Sequence, residues 1–443
     1  NQQLTGTISG NGRTVAALSI NTAGLTTTIS TALTVTGTTT WGSGITGTLI
    51  LSADLTTGSF SAAGTSTRSI SFGANYIVMT TSGLAMSSVD NFTWTGTGGF
   101  KGNMTTSTQS FNFGATSGGS ATNAPNMLIY TGANTASLTT SSHFKTLDCT
   151  GSTSQVNASS GVAVQAINVY DSVVLASGGT YPWLQLDMKA TTNTINGNGR
   201  TLATFTIASG STTTLLSALT INSTYTQVTG TTLALGSFTL TSTAGTFTYT
   251  GGTLTMGTGT ISCITFTFNG PTFTLNSGTI TCSSTFNMTT GSFTLDTGGT
   301  LIAIPTFNHT AGTVTFLKST AFATTGTYTF SSGTLVVSGV TLSVGIFSSN
   351  SGVARTLTFG TGFINLTHST AGTIVLEMGD CTLVSPTGTG GFTSNMSVQR
   401  GFRYGYNLGG AVATAVNLSL TTGAGEALIT SASWFKTLDC TSS

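Results

Sequence analysis

The chain has 443 residues, yet only 5% of them are charged and the formal net charge is +1. Its Lys and Arg residues are scattered singly, so no basic stripe is available to neutralise a row of phosphates. No apolar run approaches the roughly 18 to 20 residues that cross a bilayer. We therefore expect neither a nucleic-acid partner nor a membrane span.

Small and β-branched residues dominate the composition and predict an all-β protein. The sequence contains 101 Thr and 58 Gly, and with Ser these make up nearly half of the chain. Disorder is not indicated, because disordered chains are poor in aromatic residues and rich in Pro, whereas this chain has 25 Phe and 5 Pro. Thr, Val, Ile and Phe favour strands, and Gly supplies tight turns.

The chain repeats itself in one order. ISGNGRTVA at residues 8–16 returns as INGNGRTLA at 195–203, and HFKTLDCTGS from His143 returns as WFKTLDCTSS from Trp434. The offset grows from 187 to 291 between these pairs, so the second copy carries about 100 extra residues. We assign β-repeat copy 1 to residues 1–187 and copy 2 to residues 188–443, with an inserted segment at about 240–345.

The inserted segment has a shorter beat of about 20 residues. Its Thr/Ser-Φ-Thr cores, where Φ is apolar, are centred on Phe247, Phe273, Phe293, Val314 and Tyr328. Alternating inward apolar and outward Thr residues at this period predict an elongated β-solenoid of the parallel β-helix kind, with Phe in the interior. An array of small β-sandwiches is the alternative.

The boundaries of the repeated copies do not coincide with the first and last residues of the sequence. About 37 residues, Gly151 to Asp187, separate the first FKTLDCT from the next GNGRT region, whereas Asn1 lies only a few residues before the first GNGRT. This arrangement predicts either a window of a longer tandem array or a protomer completed by its neighbour. In both cases the expected partner is the protein itself, stacked head to tail into a filament.

Several segments carry a resemblance to known proteins. Residues 347–367 (FSSNSGVARTLTFGTGFINLT), residues 111–151 and the second FKTLDCT resemble repetitive Thr/Ser/Gly-rich surface or fibre proteins of aquatic viruses and bacteria, which are largely uncharacterised. The resemblance implies an extracellular location on a cell or virion surface. It brings no catalytic residues with it.

Five cysteines are present. Cys263 and Cys282 lie 19 residues apart, about one coil, and are predicted to stack on neighbouring coils close enough for a disulfide; buried free thiols are the alternative. Cys149 and Cys440 occupy equivalent places in the two copies, which argues against pairing within one chain and makes them candidate intermolecular thiols. The fifth is Cys381.

Nine Asn-X-Ser/Thr sequons are candidate glycosylation sites. Two pairs have matching positions: Asn103 and Asn395 in the two copies, and Asn287 and Asn308 in adjacent coils. The other candidates are Asn91, Asn157, Asn222, Asn365 and Asn417.

Two aromatic groups offer a sugar-stacking platform as an alternative to core packing. They comprise Phe92, Trp94 and Phe100 in one copy, and Phe392, Phe402, Tyr404 and Tyr406 in the other. Arg400 and Arg403 lie beside the second group and keep glycan adhesion open.

Ionisable residues give no sign of catalysis. The ten acidic residues and three histidines are dispersed. The acidic pair Glu377 and Asp380 is separated by three positions, which sends the side chains to opposite faces of a strand. We expect no catalytic, cofactor-binding or metal-binding residues, and the chain is predicted not to be an enzyme.

These patterns together predict a secreted, glycosylated structural protein that forms or extends a fibre by end-to-end stacking of β-repeats. An adhesin or virion fibre that binds surface glycans is the alternative function.

Overall fold

A computed structural model gives the fold. The structure describes residues 6–62, 64–103, 108–117, 119–130, 132, 134–139, 141–158, 166–379, 384–405, 414–422, 425–429 and 433–441. These residues contain strands and turns but no helix, and the strands stack in parallel into a β-solenoid of about 19 turns. The predicted solenoid is thereby confirmed. The sandwich alternative is wrong, because the strand pairings described within each unit are all parallel.

The chain divides into two compact units, which are described separately. Unit 1 comprises residues 1–223 and 230–234, and unit 2 comprises 224–229 and 235–443. This division follows packing, whereas the copy boundary at 187 is a feature of the sequence and stays a prediction.

Unit 1 contains the following strands: β1 (Gly6–Ser9), β2 (Thr14–Val15), β3 (Leu18–Ile20), β4 (Leu25–Thr31), β5 (Leu33–Trp41), β6 (Gly47–Leu51), β7 (Leu55–Ser61), β8 (Arg68–Gly73), β9 (Tyr76–Ser88), β10 (Phe92–Gly96), β11 (Gly99–Asn103), β12 (Gln109–Ser117), β13 (Asn126–Tyr130), β14 (Ala136–Leu138), β15 (His143–Asp148), β16 (Val156–Ala158), β17 (Ile167–Val174), β18 (Tyr181–Met188), β19 (Thr192–Asn196), β20 (Arg200–Ile207), β21 (Thr212–Leu215), β22 (Leu219–Ile221) and β24 (Thr232–Ala234).

Unit 2 contains the remaining strands: β23 (Tyr225–Gln227), β25 (Thr239–Tyr249), β26 (Thr253–Thr255), β27 (Thr260–Phe268), β28 (Thr272–Leu275), β29 (Thr279–Met288), β30 (Ser292–Leu295), β31 (Thr300–Ile302), β32 (Thr306–His309), β33 (Thr313–Phe316), β34 (Thr320–Ala321), β35 (Thr327–Phe330), β36 (Gly333–Val336), β37 (Thr341–Val344), β38 (Ile346–Ser348), β39 (Arg355–Gly360), β40 (Phe363–Leu366), β41 (Thr373–Met378), β42 (Val384–Gly388), β43 (Gly391–Met396), β44 (Arg400–Tyr404), β45 (Val416–Thr422), β46 (Ala427–Ile429) and β47 (Phe435–Asp439).

Equivalent strands of successive coils form parallel sheets that run along each unit. Unit 1 has a five-stranded sheet in the order β1-β4-β6-β8-β10 beside a larger set of ladders that includes β13-β15-β17. Unit 2 has two six-stranded sheets, β28-β30-β33-β36-β39-β42 and β34-β37-β40-β43-β45-β47. Strands adjacent in a sheet belong to successive coils, so a residue's partner is 19 to 22 positions away in most of the inserted segment.

The Thr-Φ-Thr cores stand in register across coils, although their spacing in the sequence wanders. Thr246-Phe247-Thr248 pairs with residues 265–267, whereas Thr272-Phe273-Thr274 pairs with residues 292–294 in a different sheet. One sheet thus holds the cores centred on Phe273, Phe293 and Val314, and another sheet holds those centred on Phe247 and Tyr328. In each core the apolar residue points inward and the flanking residues point outward, as strand alternation requires.

Aromatic rings from successive coils form a continuous stack inside unit 2. The centroids of Phe266, Phe286, Phe307 and Tyr328 follow one another at 5.0, 4.6 and 4.8 Å, with interplanar angles of 22° or less. All four side chains are fully buried. Their packing follows from strand register, because identical positions of adjacent coils lie about 4.8 Å apart.

The GNGRT words form turns between strands, as their composition predicts. Asn198 and Gly199 both have positive φ, of 49° and 68°, and the Arg200 amide donates a 2.9 Å hydrogen bond to the Gly197 carbonyl. Asn and Gly are the residues that adopt this conformation at least cost. No helix follows this turn in the described residues, so its glycines are explained by the turn alone.

No helix among the described residues has the length and hydrophobicity that a bilayer crossing requires.

Candidate functional site

The coil that contains the FKTLD sequence is the best candidate for an interaction site, because the same sequence occurs in two different environments. In unit 1 it forms β15, and its position is fixed by Asn126 on β13. The Asn126 Nδ2 group donates to the carbonyls of Thr97 and Gly98, each at 3.1 Å, and the Thr146 hydroxyl donates to Asn126 Oδ1 at 3.1 Å. One amide side chain thus joins three coils.

Unit 2 repeats this arrangement at β47. The Asn417 Nδ2 group donates to the carbonyls of Thr389 and Gly390 at 3.0 and 3.2 Å, and the Thr437 hydroxyl donates to Asn417 Oδ1 at 2.8 Å. The residues that hold the FKTLD coil are therefore equivalent in both copies.

The turn after each FKTLD word is also the same. Asp148 Oδ1 accepts the Thr150 amide at 2.8 Å, and Asp439 Oδ1 accepts the Thr441 amide at 2.9 Å. The hydrogen bonds from the Thr441 amide and hydroxyl lower the pKa of Asp439. Each aspartate closes a local turn, a common role for this residue.

The two FKTLD coils differ in whether a further strand pairs with their second edge. In unit 1 β15 lies between β13 and β17, and Phe144, Leu147 and Cys149 are completely buried. In unit 2 β47 pairs with β45 on one side, and no strand lies on its other edge among the described residues. Leu438, the equivalent of Leu147, is consequently 48% exposed.

Further apolar side chains extend this uncovered surface, which we call the β46–β47 face and define by Leu428, Ile429, Trp434, Phe435 and Leu438. Leu428 is 47% exposed and Trp434 is 48% exposed, while Phe435 is half-buried. Exposed apolar side chains are ordinary when single, but a group of them marks an interaction surface.

Unit 1 shows how such a face is covered. His143 occupies the place that Trp434 has in copy 2, and strand β17 brings Tyr170 against it. The Tyr170 and His143 rings stack at 5.8 Å with an interplanar angle of 14°, and the tyrosine hydroxyl lies 2.8 Å from Nδ1. Burial, together with the positive charge of Lys189, lowers the pKa of His143.

Two of the cysteines, Cys263 and Cys282, stack on adjacent coils as the solenoid prediction requires. Cys263 and Cys282 are register partners on adjacent coils and are free thiols. The hydrogen bond with Cys263 and burial raise the pKa of Cys282. Their stacking is as expected, and the disulfide stays a prediction.

Cys149 is unsuited to the intermolecular role predicted for it. Its side chain is completely buried inside unit 1, and burial raises the pKa of the thiol. Its equivalent Cys440 is exposed, so intermolecular cross-linking stays a prediction for Cys440 alone. Cys381 lies outside the described residues.

The sequon asparagines are all at least partly accessible, but their surroundings differ. The exposed ones are Asn91, Asn103, Asn222 and Asn395, and the half-buried ones are Asn157, Asn287, Asn308, Asn365 and Asn417. Asn287 and Asn308 are register partners, and the Asn308 amide donates to Asn287 Oδ1 at 2.9 Å. The side chains of Asn287, Asn308 and Asn417 thus have structural partners, and glycosylation stays a prediction at every sequon.

The aromatic platform is wrong, because strand alternation turns its members inward. The platform residues that are completely or almost completely buried are Phe92, Phe100, Phe392, Phe402 and Tyr404. Trp94 is half-buried, and Tyr406 lies outside the described residues.

Arg400 is likewise a core residue. It is 3% exposed, and its Nη1 donates to the Leu366 carbonyl, the Ser394 hydroxyl and the Asn395 carbonyl. It therefore fixes a loop and is not available to a ligand. Arg403 lies 4.0 Å from Glu377 in a half-buried ion pair, and Asp380 lies outside the described residues.

Among the described residues no three His, Cys, Asp or Glu side chains gather at a distance suited to a metal ion. No protein-family model, curated protein or solved structure matches the chain.

Proposed function

We propose that the protein is a non-catalytic, extracellular structural protein whose coils stack end to end, so that copies of the chain form a filament. The observation that carries this proposal is the parallel β-solenoid, in which each coil pairs with the next along its strands, so that a coil of another chain can be added by the same pairing.

The partner that fits the β46–β47 face is a parallel coil from a second copy. Strand β47 presents main-chain donors and acceptors along its open edge, and parallel pairing is how each coil of both units meets the next. Fully burying a large apolar side chain stabilises by about 1.5 to 3 kcal/mol. Covering three half-exposed side chains therefore contributes about 2 to 5 kcal/mol, with main-chain hydrogen bonds in addition.

This gain is of the same order as the free-energy cost of bringing two chains together, about 4 to 15 kcal/mol. Each contact is accordingly weak, and filaments should appear above a threshold protein concentration. Sugars on exposed asparagines such as Asn103 and Asn395 would leave the stacking face clear, and they would supply the solubility that so few charges provide.

The test uses the purified chain across a range of concentrations, with negative-stain microscopy and sedimentation. Filaments should form for the wild type and be lost in Leu438→Asp. The matched control is Leu317→Asp, because Leu317 is equally exposed, at 46%, but lies on unit 2 outside the β46–β47 face. That variant should still polymerise.

Cys440 provides an independent readout. In filaments its alkylation by iodoacetamide should slow towards that of Cys149, since the covering coil would bury it as Cys149 is buried in unit 1. Chains that remain monomeric at every concentration, or filaments unaffected by Leu438→Asp, would contradict the proposal.

A further inference from the structure

A polar cleft of about 340 Å³ opens on unit 1. Three successive coils form its walls: Gln155 bridges to Thr180 in parallel fashion, and the next coil adds Arg200 and Thr201. Asn222 lies at the far side. The volume falls in the range of about 300 to 1,000 Å³ that is usual for small-molecule sites.

Arg200 is the one charged side chain among the described residues that line this cleft. Its Nε atom is shielded from water and has no hydrogen-bond partner, as is also true of the Nε atoms of Arg355 and Arg400. Neither of the two ion pairs in the described part of the chain involves Arg200. In contrast, the buried Arg68 donates from Nη1 to the Ala62 carbonyl at 2.7 Å. The charge of Arg200 is therefore not balanced by an ion pair, and an anion that enters the cleft would balance it through the guanidinium.

The chemistry of the walls specifies the kind of anion. A guanidinium presents a planar fork of donors that matches the two oxygens of a carboxylate. Around it the amide of Gln155 and the hydroxyls of Thr180 and Thr201 both donate and accept, which suits hydroxyl groups on a ring. Tyr181 lines the cleft with little exposed surface, so recognition rests on hydrogen bonds and charge more than on stacking.

We propose that this cleft is a binding site for an acidic sugar, with the carboxylate on Arg200 and the ring hydroxyls on Gln155, Thr180 and Thr201. The site is independent of filament formation, because its residues lie in unit 1 and none belongs to the β46–β47 face.

Copy 1 provides a matched control. Arg13 follows the same Asn-Gly turn in the first GNGRT word, with positive φ at Asn11 and Gly12, but it is exposed and does not line the cleft. Arg200→Met and Arg13→Met therefore remove the same charge from equivalent turns, and only the first removes it from the cleft.

The experiment measures binding by calorimetry and by chemical-shift changes, with protein from a bacterial host so that no glycan on Asn222 covers the cleft. The probes are methyl β-glucuronide, methyl β-glucoside and sodium acetate. The glucuronide should bind at least tenfold more tightly than either of the others, since the glucoside lacks the carboxylate and acetate lacks the ring.

Arg200→Met should weaken glucuronide binding at least tenfold, and Arg13→Met should leave it unchanged. Should Arg200→Met fail to fold, the wild type decides alone: the glucuronide must shift the Gln155, Thr180 and Thr201 amide signals more than the glucoside does. Equal binding of glucuronide and glucoside would overturn the proposal, as would acetate binding as tightly as the glucuronide or an Arg200→Met variant that binds like the wild type.

Discussion

In unit 2, the free energy of unfolding is expected to fall as the pH is lowered from about 6.5 towards 4. Replacing His309 with methionine should make this fall smaller. His309 ends strand β32 and is completely buried, in an inward row where its partners on adjacent coils are Met288 and Phe330. Its Nε2–H donates to the Gly312 carbonyl at 3.1 Å, and the Tyr328 hydroxyl donates to Nδ1 at 3.0 Å. Both ring nitrogens are thus used by the neutral imidazole.

The magnitude follows from the pKa of this side chain. Burial lowers the pKa of His309 from 6.5 to about 4, although hydrogen bonds to backbone carbonyls oppose the shift. Between these two values the unfolded chain binds a proton that the folded chain does not. The stabilisation is therefore fully present above about pH 6.5 and is lost as the pH falls towards 4, by about 3 kcal/mol in total.

The assay is urea unfolding of the wild type and His309→Met between pH 4 and pH 7.5, with hydrogen exchange of the β32 and β35 amides to locate the change. His309→Met leaves the Tyr328 hydroxyl without its acceptor, so the variant is less stable by a constant amount, and Tyr328→Phe in the same background removes that offset. Parallel pH profiles for the wild type and His309→Met would refute the reasoning.

Two further predictions concern the interior and the coil contacts. Phe286→Ala should destabilise unit 2 by about 3 to 5 kcal/mol, because it opens a gap in a closely packed aromatic stack. Thr285→Ala, on the outward face of the same strand, should change the midpoint of urea unfolding little. Equal effects of the two substitutions would contradict the assignment of Phe286 to the interior. Asn417→Ala should cost about 1 to 3 kcal/mol, since it leaves two carbonyls and a hydroxyl unpaired, while Asn395→Ala at an exposed sequon should change stability by less than about 0.5 kcal/mol. Thermal denaturation of both variants checks this, and an Asn417→Ala variant as stable as Asn395→Ala would count against the structural role.

The solenoid was predictable because its signals are local. A Thr-Φ-Thr core fixes which side chain points inward, and Gly-rich turns fix where the strand stops. The inward places of Phe247, Phe293 and Tyr328 could therefore be predicted from the sequence. The same alternation could have ruled out the aromatic platform. Phe402 and Tyr404 are two positions apart on one strand, so both side chains lie on its inward face.

Other features depend on partners one coil or more away and left no local signal. Asn417 reads as a sequon, but its hydrogen-bond partners lie 20 to 28 positions distant. Arg400 reads as a surface charge, yet its acceptor on Leu366 is 34 positions away. The cleft at Arg200 is also lined by residues of the two preceding coils. The identical GNGRT word at Arg13 does not line it, so the word alone could not reveal the cleft.

The in-register coils also bear on how such a gene can change in length. The second copy exceeds the first by about 100 residues, which is close to five coils of 19 to 22 residues each. Gain or loss of a whole coil keeps every inward side chain inward and adds about 4.8 Å to the stack. Insertion of a single residue within a strand would instead reverse the faces of all residues up to the next turn. Changes of a whole coil are therefore compatible with the fold, and smaller changes are tolerated only in the turns, where coil length varies from 19 to 22 residues.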